Sequence, residues 1–234
     1  MAGFIAYKGV DYQANFTNCY NSGNLVCKAR SGFSTNEIAE TAYNKKYIVG
    51  IGSLIGQSRL DPATKANYNK LTGTFVNTGK VEYSGTNEGG PVYVGGIIGM
   101  NEMPTTSDYW AGTVYNLADV ISTGTAATEH YVGGIFGNTN SSVQNCVVYG
   151  KVQGKGTENV GMIMGSARAE GSVVATSCQV GGSIIEVQVD EEDESEKEVE
   201  IAITTDNYFK YIYGSREASD VDGGSVLTEK PVVE

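Results

Sequence analysis

The sequence predicts an all-β fold, a right-handed parallel β-helix or solenoid of five to six coils. Three observations predict it. A six-residue motif with a Gly-Gly-Ile core recurs along the chain, a second motif of constant spacing alternates with it, and the 31 glycines against four prolines are typical of a turn-rich β protein. Each repeat is too short to bury an apolar face alone, so the repeats must stack. Crossovers between parallel strands are almost always right-handed.

The first motif is clearest in two segments that differ at one position. Val94-Gly95-Gly96-Ile97-Ile98-Gly99 returns 38 residues later as Val132-Gly133-Gly134-Ile135-Phe136-Gly137. Weaker copies are 51–56, 160–165, 209–214 and, at the start, 1–6, with Ala6 aligned to Gly56. The last residues of successive copies are 50, 43, 38, 28 and 49 residues apart. The longer units are therefore expected to carry loop insertions of roughly 10 to 20 residues.

The second motif places a Cys or apolar residue first, Gly or Ala four residues later, and an aliphatic residue two further. Its five copies are Cys19-Gly23-Leu25, Phe75-Gly79-Val81, Val114-Ala118-Val120, Cys146-Gly150-Val152 and Cys178-Gly182-Ile184. In a parallel stack, equivalent residues of neighbouring units lie about 4.8 Å apart and form what we call columns. We expect the apolar columns to fill the interior and the glycines to occupy bends.

The Gly-Gly-Ile-x-Gly motif, best seen at 94–99 and 132–137, resembles the GLUG motif, which is named for a G-L-x-G core. The resemblance covers most of residues 1–214. It implies a β-solenoid module of secreted or surface-anchored, adhesin-like bacterial proteins, many of them from Bacteroides-like gut organisms. It supplies no catalytic residues.

The whole chain, 1–234, is predicted to form one elongated domain, roughly 25 to 30 Å long at 4.8 Å per coil. Residues 215–234 would form a C-terminal cap or tail. No run of 18 apolar residues suits a membrane span, and the start does not resemble a signal peptide. Because residue 2 already lies inside a copy of the first motif, we expect a fragment of a longer, exported protein.

The net charge of −11 is concentrated in one segment. Residues 186–200 hold nine acidic residues and one lysine, Lys197, for a net charge of −8. The remaining residues sum to a net charge of −3 and offer no basic surface for phosphates, which argues against a nucleic acid partner.

The same acidic segment, within residues 184–204, is predicted to form a β-hairpin insertion that projects from the stack or caps its end. Apolar residues alternate with polar ones on both of its arms, as in a strand: Ile185, Val187 and Val189, then Val199, Ile201 and Ile203. We interpret the acidic tip as solvated charge. Loose Ca²⁺ binding is the alternative, without the spacing of an EF-hand.

Two insertions carry helix signals. Ser34-Thr35-Asn36-Glu37 resembles a capping box ahead of residues 38–42, and Asp61-Pro62 resembles an N-cap with proline at the first helical position. Short helices are therefore expected at 38–42 and 62–70.

The candidate binding site is the loop at residues 101–110, which contains Asp108, Tyr109 and the single tryptophan, Trp110. Aromatic faces stack on sugar rings, and a neighbouring carboxylate accepts hydrogen bonds from hydroxyl groups. This cluster suggests glycan binding. The alternative is that both rings cover apolar surface on the flank of the stack.

Cysteine and histidine give no sign of a metal or cofactor site, and we expect no cofactor. Cys19, Cys146 and Cys178 occupy one column with Phe75 and Val114, which indicates interior packing. Cys146 and Cys178 should be neighbours in adjacent coils, a position that permits either a disulfide or two free thiols. There is no CxxC motif and a single histidine, His130.

Catalysis is not expected either. No G-x-S-x-G turn accompanies His130, and the candidate carboxylates Asp108, Asp119 and Glu129 share no column. The sequence therefore predicts a non-enzymatic extracellular or cell-surface module, either a display scaffold or an adhesin-like binder of glycan or surface protein. The alternative is a carbohydrate-active β-helix enzyme, a polysaccharide lyase or hydrolase.

Overall fold

The computed structural model describes residues 2–6, 15–28, 48–59, 70–88, 90–102, 110–126, 128–154, 160–167, 174–189, 196–214 and 220–233. Within these ranges the chain consists mostly of β-strands, and nearly all pairs are parallel. The prediction of an all-β fold with parallel strands is confirmed.

The first two sheets collect one strand from each of several repeats. The first contains, in spatial order, β1 (Ala2–Ala6), β5 (Ile55–Arg59), β10 (Ile98–Glu102), β15 (Phe136–Thr139) and β19 (Met164–Ala167). The second contains β4 (Val49–Ile51), β9 (Val92–Gly95), β14 (His130–Gly133) and β18 (Val160–Gly161). A two-stranded sheet joins β8 (Thr86–Asn87) to β13 (Thr125–Ala126).

The third sheet has eleven strands. Its main path runs through β2 (Asn15–Asn21), β6 (Lys70–Asn77), β11 (Trp110–Asn116), β17 (Cys146–Gln153), β12 (Val120–Ser122), β7 (Val81–Tyr83) and β3 (Leu25–Cys27). The first half of β17 pairs with β11 and its second half with β12. Off this path lie β16 (Val143–Gln144), β20 (Val174–Val189), β21 (Glu196–Ala202) and β22 (Asp220–Val226).

The register places the copies of the first motif opposite one another. Val94 pairs with both Ile51 and Val132, and Val132 pairs in turn with Val160. One series of backbone hydrogen bonds of 2.9–3.1 Å runs from Leu54 N–H to Ile97, Ile97 to Ile135, Ile135 to Ile163, and Ile163 to Ile212. The predicted alignment is confirmed from residue 51 onward.

The columns of the second motif are also confirmed. Cys19, Phe75, Val114 and Cys146 pair in sequence, as do Leu25, Val81, Val120, Val152 and Ile184. Gly150 stands opposite Gly182, which has a φ of +93° and whose added Cβ would overlap the Gly150 carbonyl oxygen. Glycine is required at Gly182 on both counts.

One cluster of buried apolar side chains draws on all three larger sheets. It includes Phe75 and Val114 from the third sheet, Val94 and Val132 from the second, and Ile98 and Phe136 from the first, all at most 3% exposed. Ile203, Tyr208, Tyr211 and Ile212 belong to the same cluster near the C-terminal end. The apolar columns therefore form the interior, as predicted.

The predicted hairpin is present. β20 and β21 pair antiparallel, from Ser183 with Ala202 to Val189 with Glu196, the one antiparallel pairing among the described strands. The pairing of β20 with β17 ends at Ile184, so the hairpin extends beyond that strand. Its acidic tip at 190–195, and with it the Ca²⁺ alternative, lies outside the described residues.

Two copies of the first motif need correction. At the N-terminus Ala2 pairs with Ile55 and Phe4 with Gln57, so Gly3, and not Ala6, falls opposite Gly56. The structure matches Gly3 to Gly56, whereas the predicted register matched Phe4 and Ile5 to the aliphatic residues Leu54 and Ile55. In the copy at 209–214 the register is right, with Tyr213 bridged to Met164. Its first half, however, belongs to the helix α1 (Tyr208–Tyr211).

The predicted helices at 38–42 and 62–69 lie outside the described residues, and residue 70 already belongs to β6. Within residues 215–234, for which a C-terminal cap or tail is predicted, β22 continues the third sheet, with Gly224 opposite Cys178 and Val226 opposite Val180. This sixth strand of the column was missed because Gly224, Thr228 and Lys230 match none of the three positions of the second motif.

Candidate functional site

A groove of about 630 Å³ opens on the outer face of the third sheet. It is lined by Asn18, Cys19, Tyr20, Thr74, Val76, Tyr115 and Val233. Tyr20, Val76 and Tyr115 form one column on β2, β6 and β11. Because each follows a residue of the interior column, their side chains point away from the core. The backbones of the two tyrosines are therefore two strand spacings, or about 10 Å, apart.

Tyr20 is the most exposed aromatic residue of the groove. Its side chain is 63% exposed, and its hydroxyl shares a hydrogen bond of 3.1 Å with Oγ1 of Thr78, which directly follows β6. That bond orients the ring across the sheet. An oriented ring offers a flat apolar face beside a polar edge, which is how tyrosine contributes to binding surfaces.

At Asn18 the backbone of β2 bends where it lines the groove. Asn18 has a φ of +50°, and its Oδ1 accepts a hydrogen bond of 2.9 Å from the backbone N–H of Thr74. Asparagine tolerates this left-handed conformation better than most residues. The register of β2 against β6 shifts between Thr17 and Cys19, and this bulge places Asn18 at the rim.

The C-terminal tail supplies one wall. The backbone N–H of Leu227 donates to the Val180 carbonyl at 2.8 Å, and the chain then reaches the groove at Val233. Val76 and Val147 are only 6% and 5% exposed although they lie on the outward column. Val233 is the tail residue that lines the groove together with Val76.

The sequence-predicted site lies mostly outside the described residues, which do not include Asp108 and Tyr109. The backbone of Trp110 begins β11 and pairs with Leu71, which in turn pairs with Phe16. Leu71 is in the core cluster and Phe16 packs against it. Residue 110 thus occupies a column whose other members contact the core, and glycan binding by this loop stays a prediction.

The His130 side chain makes structural contacts with Ser122 and Tyr83. Its Nε2 lies 2.7 Å from Oγ of Ser122, and its ring meets that of Tyr83 edge-on, with 6.1 Å between ring centroids. Both His130 and Ser122 are buried, at 8% and 1% exposure. A serine nucleophile must be open to substrate, and this pair is not.

The candidate carboxylates on the described residues also bind the protein itself. Oδ1 of Asp119 accepts a hydrogen bond of 2.9 Å from the backbone N–H of Lys151. Glu129 accepts one from the hydroxyl of Tyr93, whose ring stacks on that of Tyr131. These two carboxylates hold neighbouring strands together.

The cysteine thiols are all free. Sγ of Cys19, Cys146 and Cys178 each lies 3.5–3.9 Å from the carbonyl oxygen two residues earlier, and the residue between has a φ of +50° to +53°. A cysteine here caps a carbonyl that the left-handed bend exposes, which adds to packing as a reason for its recurrence. Among the described residues, no three His, Cys, Asp or Glu side chains are placed to hold a metal ion.

Comparison with protein families, curated proteins and solved structures gave no match. The GLUG resemblance therefore stays a hypothesis. In the part of the chain that the structure describes, no helix reaches the length and hydrophobicity of a membrane span.

Sequence reasoning missed Tyr20 and Tyr115. A signal was present, since each immediately follows the first residue of the second motif, Cys19 or Val114. Reading the outward columns as well as the inward ones would have found the pair.

Proposed function

We propose that this chain is a parallel β-helix of five to six coils and acts as a non-enzymatic, extracellular or cell-surface module that binds glycan in the outer groove. The observation that carries the proposal is the column Tyr20, Val76 and Tyr115 beside the polar residues Asn18 and Thr74. The alternation of sheets within each repeat, with parallel pairing between repeats, supports the β-helix.

The dimensions of the groove favour an extended carbohydrate. A pyranose ring is about 5 Å long, close to the 4.8 Å spacing of strands. A glycan lying across the strands would therefore bring alternate sugars over Tyr20 and Tyr115. Two stacking contacts with the polar residues Asn18 and Thr74 beside them suit a ligand with apolar ring faces and hydroxyl edges.

Charge supports a neutral ligand. The net charge of −11, with −8 of it in residues 186–200, disfavours polyanions through long-range repulsion. Binding without catalysis is supported by the structural use of His130, Asp119 and Glu129. A surface protein would be the other class of ligand and is an outcome of the test.

A glycan array combined with a depolymerisation assay tests the proposal. We expect binding of neutral glycans that falls at least tenfold in Tyr20→Ala and in Tyr115→Ala. Phe209→Ala is the matched control, because Phe209 is 56% exposed on α1, away from the groove. Loss of binding only in Trp110→Ala would move the site to the predicted loop. New reducing or unsaturated ends would favour the enzyme, and no glycan binding at all would overturn the proposal.

A further inference from the structure

Cys146 and Cys178 stand opposite each other on neighbouring parallel strands. The pairs on either side, Gln144 with Thr176 and Val147 with Gln179, fix this register. Both side chains are buried, at 0% and 1% exposure, and both thiols are free. Because both belong to the buried core cluster and occupy the same inward column, their side chains are neighbours in the interior.

The backbone geometry suits a covalent bond. Adjacent parallel strands lie about 4.7 to 4.9 Å apart, and disulfides join residues whose Cα atoms are about 4.4 to 6.8 Å apart. The other two cysteines have no such partner. Cys19 stands opposite Phe75, and Cys27 stands opposite Tyr83.

We infer that Cys146 and Cys178 form a disulfide that cross-links β17 to β20 when the chain folds in an oxidising compartment. The oxidant is a small-molecule or protein disulfide. A thiolate of the pair attacks it and releases one thiol, and the second cysteine then attacks the mixed disulfide and releases the other. Two protons leave the cysteines, and their two electrons reduce the oxidant to two thiols.

The reaction belongs to folding, because both thiols are buried once the fold is complete. Whichever thiol ionises first during folding starts the exchange.

The bond would clamp the C-terminal end of the stack. It closes a loop from residue 146 to residue 178, which includes residues 168–173 outside the described ranges. A loop of this length, closed without strain, is expected to raise the Tm of a chain of this size by about 5 to 10 °C. This inference does not depend on glycan binding.

Refolding the full chain from urea in a glutathione and glutathione-disulfide buffer tests the inference. We expect the intact mass to fall by two hydrogen atoms and peptide mapping to join Cys146 to Cys178. Free thiols are alkylated after denaturation, because buried thiols in the folded protein would escape the reagent. The Tm should rise relative to the protein held in reductant.

Two sets of variants serve as controls. Cys146→Val and Cys178→Val should abolish the mass change, and Val114 shows that the column accepts valine. The double variant Cys19→Ala/Cys27→Ala should keep it. Four alkylated cysteines after oxidative refolding, or a bond to Cys19 or Cys27, would overturn the inference. A cross-linked protein with an unchanged Tm would overturn the clamping role.

Discussion

The side-chain amide of Asn77 donates a hydrogen bond of 2.7 Å to Oδ1 of Asn116 on the next strand of the third sheet. The same amide donates to the Gly79 carbonyl at 2.8 Å, and Oδ1 of Asn77 accepts a hydrogen bond of 2.7 Å from Asn21. Three asparagines thus form a hydrogen-bonded series across β2, β6 and β11. The series ends where Asn116 pairs with Val148.

We predict that Asn77→Leu lowers the free energy of unfolding by about 2 to 4 kcal/mol, because it leaves buried amide and carbonyl groups without partners. Asn77 is fully buried, so water cannot replace the lost bonds. Urea denaturation followed by circular dichroism measures the change. Asn21→Leu is the control on the partly exposed end strand, with an expected loss of about 1 kcal/mol or less. Equal losses in both variants would contradict the series as a source of stability.

A second prediction concerns Gly133. A Cβ at this position would overlap the Phe136 carbonyl oxygen and lie 2.6 Å from the backbone nitrogen of Gly165. Backbone atoms of two strands cannot move aside without breaking the ladder, so we expect Gly133→Ala to cost at least 3 kcal/mol or to prevent folding.

The control for that substitution is Gly23→Ala. Gly23 is exposed, and its added Cβ would meet nothing closer than Oδ1 of Asn21 at 3.9 Å. We expect a change within about 0.5 kcal/mol. Thermal unfolding compares the two variants, and a mild effect at Gly133 would mean that the strands approach less closely than described.

The inward columns could be predicted from the sequence because each repeat must match its neighbour there. A residue such as Val114 pairs with Phe75 on one side and Cys146 on the other, so both neighbours constrain the size and polarity of its side chain. Repetition follows from that constraint and is visible without coordinates. The terminal copy at residues 1–6 has a neighbour on one side in the sheet, and its register was predicted wrongly.

The groove could not be predicted in the same way. Outward side chains such as Tyr20 and Gln179 share a position along the repeats but not a chemical environment, since one lies beside Val233 and the other beside Ser225. The position of Val233 in the wall of the groove depends on the path of residues 228–233 after the last strand. No periodic signal encodes that path.

Alkaline pH should destabilise the fold through Tyr83. Burial, together with the charge of Cys27, raises the pKa of Tyr83 to about 12, from 10 in an exposed tyrosine. Between these values the unfolded chain loses the proton while the folded chain keeps it, so stability is fully present below pH 10 and falls as pH rises through 12. We expect the urea midpoint of Tyr83→Phe to fall less steeply in this range.

The control for the pH series is Tyr20→Phe, because the Tyr20 side chain is largely exposed and lies outside the buried core. Its urea midpoint should follow that of the unsubstituted protein from pH 9 to 12. Identical slopes for Tyr83→Phe and the unsubstituted protein would show that the Tyr83 hydroxyl ionises as easily in the folded chain as in the unfolded one.

The last prediction compares two adjacent residues of the tail. Val233 lines the groove, whereas its neighbour Val232 is 90% exposed. A charge at residue 233 would face the groove that Val76 and Tyr115 also line, so we expect Val233→Asp to detach the tail at a cost of about 1 to 2 kcal/mol. Val232→Asp should leave stability unchanged. Detachment exposes the outward column, which increases binding of the dye ANS and the rate of amide hydrogen exchange at residues 228–233. If both substitutions behave alike, the tail does not form a wall of the groove.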